Sequence, residues 1–416
     1  MTIEFAIVGG GVHGTHVAAR LLTETRLSHD EVVVLEPNGE LLASFTEKAR
    51  RCGMEGLRST YVQHAGTEPF DLENYARAHD REDELLPTRN HPRRPSLSLF
   101  LDHARETIDR HDLDSLVLPA RAETVQPHGD GVRIGTDEGS IDARCCLLAI
   151  GYGGRVAVPE WARLGTDAPI GHVWEEGYDE TTLGEDVVVI GGGVSATSLA
   201  LSLAERDREV TLLSRHRIET ETVECDPYWL NWSYIEDHLH CLPPASRARS
   251  DAIRAARYDS TVPRYLAERL RAAASGGRLE VTRGEVESAY HGGGLVLRLT
   301  DGRVRETDSV VLATGFAEVY THPFLRSVAE SLDLATGYRG MPHLCDETLS
   351  WRGRDGERSP VFATGAFAEG AVGPFARNLP GARRAADRLV EVVGSRAAPV
   401  RLDADRALRS PPESGP

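Results

Sequence analysis

The chain alternates short apolar runs, glycine turns and amphipathic stretches. Residues 4–8 form an apolar run that ends in Gly9-Gly10-Gly11-Val12-His13-Gly14. Val17, Ala18, Leu21 and Leu22 then recur at helical spacing, and residues 31–36 read as a buried strand closed by Pro37. The pattern predicts strand, glycine turn, helix and strand, one βαβ unit. It returns 182 residues further on. Residues 186–190 lead into Gly191-Gly192-Gly193-Val194-Ser195-Ala196, a helix follows to Ala204, and a strand spans 209–213. Residues 145–151, 309–315 and 360–365 are further strands that break at a glycine, each with an alanine two positions earlier. Residues 53–74 read as a polar loop. A helix is expected from Pro95 to Ile108 with Ser96 as its cap, and a disordered tail at 397–416.

The glycine turns suit a dinucleotide. A pyrophosphate is held where a helix N-terminus points free N–H groups and a positive dipole end at it. The strand-to-helix turn must be tight, the backbone must reach the phosphate, and the helix must pack on the strand. Gly9, Gly11 and Gly14 meet those needs in order. Glu36, 22 residues after Gly14, stands where an acid accepts from the ribose hydroxyls. The second copy has Gly191, Gly193 and Ala196. At the ribose position it carries Arg215 and Arg217 in place of an acid, which suits a 2′-phosphate. One acidic and one arginine-bearing site point to two cofactors, FAD in the first and NADPH in the second.

Composition narrows the context. The chain of 416 residues has 64 acidic against 47 basic residues, a formal net charge of −17, and Lys48 is its single lysine. That balance argues against nucleic-acid or anionic-membrane partners. An arginine-for-lysine bias follows from a GC-rich genome, but the carboxylate excess points to a high-salt cytoplasm, hence a halophilic, cytoplasmic protein. The chain opens on a strand with no basic leader, and no apolar run approaches the ~20 residues of a membrane span. Six cysteines include no C-x-x-C pair, so neither a local zinc motif nor a thioredoxin-type pair is encoded and no metal site is expected. Cys145 and Cys146 are adjacent in a strand, where side chains alternate faces, so they read as structural.

The fingerprints, with the Ala313-Thr314-Gly315 and Ala363-Thr364-Gly365 turns, resemble the two-dinucleotide-binding-domain flavoproteins up to about residue 392. The resemblance implies an α/β fold of two Rossmann-like domains with parallel sheets, the NADPH domain inserted in the FAD domain. The expected division is 1–165 and 317–396 for FAD and 166–316 for NADPH. Gly315 and Gly365 join the cofactor-binding set, and Gly373-Pro374-Phe375-Ala376-Arg377-Asn378 is expected to open the last helix, with Pro374 in its first turn.

Lacking a cysteine pair, the chain looks more like the flavin monooxygenases than the disulfide reductases. Gly53-Met54 with Leu57-Arg58-Ser59 resembles the flavin-facing segment of lysine and ornithine N-hydroxylases, and His172 resembles the histidine that precedes the NADPH loop. The resemblance implies a monooxygenase that uses NADPH, O2 and a C4a-hydroperoxyflavin to oxygenate a small nucleophilic amine. Arg58, His64 and Asn378 are the candidate groups near the flavin, with His64 relaying a proton, and Met54 joins the flavin-binding set. Residues 225–232, rich in aromatics, are either a lid or a packed loop. An NADPH:acceptor flavin reductase and a non-enzymatic redox sensor remain open alternatives. Self-association is common among proteins with this layout.

Overall fold

The computed structural model describes residues 3–88, 91–165, 167–292 and 294–396. The expected tail at 397–416 lies outside the described residues.

Two sheets carry the fold. The first has eight strands. Its centre is β1 (Ile3–Val8), flanked in parallel by β2 (Val32–Leu35) and by the end of Gly139–Leu148. Val117–Leu118 extends one edge in parallel, and Arg358–Ala363 extends the other beside Gly139–Leu148, with Ser350–Arg352 antiparallel beyond it. An antiparallel meander, Ala122–His128 and Gly131–Thr136, hangs from the start of Gly139–Leu148. The second sheet has five strands, all parallel, in the order Leu279–Arg283, Glu209–Ser214, Asp186–Ile190, Ser309–Leu312, Ile170–His172. Every strand of the second sheet falls between the two stretches of chain that build the first.

The apolar runs form these strands because parallel sheets are covered on both faces. Side chains of one strand alternate between two cores. Phe5, Ile7, Cys145 and Leu147 pack into one, and Ala6, Val8, Cys146 and Leu148 into the other. The adjacent cysteines therefore point to opposite faces. In both sheets the glycine turn follows the strand where the order reverses. β1 lies between β2 and Gly139–Leu148, and Asp186–Ile190 lies between Glu209–Ser214 and Ser309–Leu312. Such switch points open a crevice at the carboxyl ends of the strands.

Ser96 caps helix Leu97–Arg110 as the sequence suggests, accepting from Leu99 N at 3.0 Å. The last helix departs from expectation. It spans Leu379–Arg396, so Pro380 rather than Pro374 sits in its first turn. Residues 373–378 form a preceding turn instead, opened by Gly373 at φ 86°. This helix packs against α1 (Val12–Glu24), with Ala386 and Leu389 in the same core as Val17 and Leu21.

Buried arginines tie distant segments together. Arg249, 1% exposed, donates to both carboxylate oxygens of Asp346 at 2.6 and 2.8 Å and to the Gly370 carbonyl at 2.8 Å. Removing one partner of a buried pair leaves the other charge uncompensated. Arg249→Met is expected to cost about 3 kcal/mol in denaturant unfolding. Arg254→Ala, which breaks an exposed pair with Asp251, should cost less than about 1 kcal/mol.

Candidate functional site

A cleft opens at the switch point of each sheet. The first, of about 830 Å³, is walled by Gly9, Gly11 and His13 of the first glycine loop. Glu36 at the tip of β2, Lys48, Tyr152, Phe316, Gly365 and Arg377 complete it. The three glycines play three different parts here. Gly9 has φ 111°, and a Cβ on it would lie 2.6 Å from the Ala149 carbonyl oxygen. A Cβ on Gly14 would fall 1.9 Å from the Gly9 carbonyl, so α1 packs on the turn only without one. A Cβ on Gly11 would meet nothing within 4 Å. Gly11 is the N-cap of α1 and faces open cleft, the position from which backbone reaches a phosphate.

Glu36 is 7% exposed, and its carboxylate already accepts from Gly10 N at 2.9 Å and from Asn38 N and Nδ2 at 3.1 and 2.7 Å. It is fixed at the end of β2 on the cleft wall, a pre-set acceptor. Across the cleft His13 Nδ1 is 2.8 Å from Thr364 Oγ1, joining the first fingerprint to the last alanine-threonine-glycine turn. Burial holds the His13 imidazole down to about 4, so the ring is neutral near pH 7, and its Nε2 is buried without a partner. Lys48 Nζ bonds Ser44 Oγ, and burial lowers its pKa.

The second cleft, of about 710 Å³, is lined by Gly191, Gly193, Ala196, Arg215, His216, Thr314 and Gly315. Gly191 repeats the role of Gly9, with φ 149° and a Cβ position 2.7 Å from the Ala313 carbonyl. Gly193 repeats Gly11, with nothing within 4 Å. Ala196 is fully buried, and its methyl fills the place of the third glycine's hydrogen. Arg215 follows Ser214 at the strand end and is exposed on the cleft wall.

A stack of three rings joins the clefts. Tyr152 and Phe316 are 4.7 Å apart and 9° from parallel, and Phe316 and Trp174 are 4.7 Å apart and 12° from parallel. Tyr152 and Phe316 line the first cleft and Trp174 the second. Trp174 is anchored by its Nε1 to the Lys48 carbonyl at 3.2 Å.

The predicted residues divide. Gly9, Gly11, Glu36 and Gly365 line the first cleft, and Gly191, Gly193, Ala196, Arg215 and Gly315 the second. Gly14 underlies the first turn. The other five line neither cleft. Arg217 turns to Glu219 at 3.4 Å, and Met54 packs beside Leu57 and Phe100. Arg58 donates to the Thr261 and Val223 carbonyls at 3.0 and 2.7 Å, tying the first sheet's loop to the second sheet's segment. Asn378 donates to Glu224, which also faces Arg58 at 3.7 Å. His64 is fully buried beside His103, and burial pushes its imidazole down to about 3.

His172 is buried at its strand end, with Nδ1 accepting from Trp174 N at 3.2 Å. Residues 225–232 are a packed loop, since Cys225 and Trp229 are buried with Phe375 and none of its residues lines a cleft. His13, Lys48, Arg377 and the three stacked rings were missed. Lys48 alone carried a signal, as the single lysine.

Gly11 and Gly14 separate binding from folding. Gly11→Ala, whose φ of −71° suits alanine, should purify with unchanged thermal unfolding but with little bound flavin absorbance. Gly14→Ala should lose both, because its methyl would overlap the Gly9 carbonyl.

Comparison with known proteins fits this geometry. Residues 6–153 match the FAD-NAD(P)-binding family model. No curated protein matches the chain. Among solved structures, L-lysine 6-monooxygenase from Pseudomonas syringae is 19% identical with a TM-score of 0.73, covering 95% of this chain and 100% of its own. Ornithine hydroxylase from Pseudomonas aeruginosa is 19% identical with a TM-score of 0.72, covering 95% and 99%. Bacillithiol disulfide reductase from Bacillus cereus is 18% identical with a TM-score of 0.61, covering 95% and 100%. Residues 6–153 thus match an FAD-NAD(P)-binding family, and the chain has the two-sheet α/β fold seen in the lysine monooxygenase, the ornithine hydroxylase and the bacillithiol disulfide reductase.

Proposed function

We propose that the first cleft holds FAD, the second holds NADPH, and the chain is a flavin-dependent monooxygenase for a small nucleophilic amine. The observation that carries this is the pair of unlike clefts with no thiol in either. Glu36 offers a fixed carboxylate to ribose hydroxyls in the first. Arg215 offers a guanidinium at the equivalent place in the second, where a 2′-phosphate would accept it. None of the six cysteines lines a cleft. Burial pushes the Cys52 and Cys225 thiols up to about 11 and that of Cys146 higher still, the reverse of a reactive thiolate.

Bound FAD and NADPH would supply the electron transfer and the oxygen activation. The chain's own residues bind, orient and exclude water. The N-termini of α1 and of Val194–Ala204 face the two phosphate seats with free N–H groups. Neutral His13 holds the last alanine-threonine-glycine turn against the first glycine loop. The Tyr152–Phe316–Trp174 stack forms an aromatic wall shared by both clefts.

A reductase passing electrons to an external acceptor fits the same clefts, and the shared fold of the bacillithiol disulfide reductase favours it as the second reading. Isotope labelling separates them. In high salt, which screens a chain of net charge −17, NADPH oxidation under ¹⁸O2 should place label in an amine product. Fast anaerobic turnover with a dye and no labelled product would instead favour the reductase, and no turnover at all a redox sensor. Arg215→Ala should raise KM for NADPH roughly tenfold or more, the worth of a charge-assisted hydrogen bond, with kcat and the NADH reaction nearly unchanged.

A further inference from the structure

Away from both clefts, three segments meet in a buried polar knot. His64 comes from the loop after Ala43–Arg51, Asp71 opens helix Asp71–Ala78, and His103 lies in Leu97–Arg110. His64 and His103 are fully buried and Asp71 is 8% exposed. One donor atom from each lies within 4.8 Å of the other two. His103 Nε2 is 3.5 Å from Asp71 Oδ2, and the two imidazoles meet edge to face with centroids 5.4 Å apart. Nδ1 of His103 and Nδ1 of His64 are buried with no hydrogen-bond partner. Buried polar atoms are rarely left so, and two beside a buried carboxylate ask for a ligand.

We infer that His64, Asp71 and His103 bind one divalent transition-metal ion, with Zn²⁺ the cation that suits two imidazoles and a carboxylate. A tetrahedral zinc with bonds of about 2.0–2.2 Å sets its ligands about 3.3–3.6 Å apart, matching the His103–Asp71 separation already present. His64 closes the remaining gap by turning about its side-chain bonds.

The surroundings allow this. Gly66 borders the knot, and a Cβ there would lie 2.1 Å from Asp71 Oδ2 and 3.1 Å from His103 Cε1, so the seat exists because residue 66 has no side chain. Two cations stand nearby. Arg110 Nη1 is 3.4 and 3.3 Å from the two Asp71 oxygens, and its Nη2 bonds Glu106 at 2.5 Å, so it can keep one oxygen while the other ligates. Arg383 Nη1 is 3.4 Å from His64 Nε2 but also bonds the Val62 carbonyl at 3.2 Å, which lets it release the ring. His16 lies next to the knot with Nδ1 on the Ala65 carbonyl at 3.0 Å. The ligands sit at positions 64, 71 and 103, too far apart for a short motif. The ion would pin the loop that carries Met54 and Arg58 onto two helices, a stabilising rather than a catalytic role.

The test uses the full-length, flavin-loaded protein, stripped with a chelator and titrated with Co²⁺, then Zn²⁺. One equivalent of Co²⁺ should give saturating visible bands beyond the flavin absorption, which Zn²⁺ abolishes, and Zn²⁺ should raise the unfolding temperature by several degrees. Asp71→Asn and His103→Gln should lose both effects while keeping the flavin spectrum. X-ray absorption of the zinc-loaded wild type, which needs no variant, should show two imidazoles and a carboxylate oxygen. The inference is overturned if the wild type takes up no stoichiometric metal, if well-folded variants take it up equally, or if the first shell holds fewer than two imidazoles.

Discussion

The structure turns on how a strongly acidic chain can present positive potential to two anionic dinucleotides. Its answer is mostly backbone. At each switch point a glycine turn brings a helix N-terminus to the end of a central strand, where unsatisfied N–H groups supply the charge. That requires positive φ at Gly9 and Gly191 and close approach at Gly14. The sheets, the strand order and the long insertion between the halves of the first sheet all serve to hold those two turns. The chain carries a net charge of −17, so these N-termini work against the overall field.

Side chains also couple the two sites. Arg58 and Arg94 donate to carbonyls of the segment around 221–223, and Tyr265 OH reaches the Gly56 carbonyl at 3.1 Å. The three-ring stack continues that seam into the clefts. Arg58 and Asn378 therefore act through Glu224 and the backbone at the junction of the sheets. A group that holds two sheets in register affects a cofactor's seat without touching it.

Much of this was legible in the sequence because its signals are local. An apolar run, a glycine triplet and a helical repeat are read within about 25 residues, and both βαβ units, the Ser96 cap and the opposed faces of Cys145 and Cys146 came from such windows. Glu36 and Arg215 were found by counting from the turn. What was not legible depends on distant segments meeting. The His13–Thr364 contact spans 351 positions, and the aromatic stack draws on residues 152, 174 and 316. Arg58 and His64 looked like flavin neighbours by resemblance. Their side chains were taken up instead by carbonyls and by a buried histidine. The start of the last helix was displaced because Gly373, at positive φ, makes a turn before helical backbone can begin.

One chain seats two different dinucleotides and passes electrons between them in this reading of the clefts. Anaerobic mixing of the purified yellow protein with NADPH or NADH, in high salt and followed at the flavin absorption band, tests it most directly. The released flavin should be FAD, and bleaching should be at least about tenfold faster with NADPH than with NADH at limiting coenzyme. A colourless protein, or flavin that neither coenzyme bleaches, would contradict it.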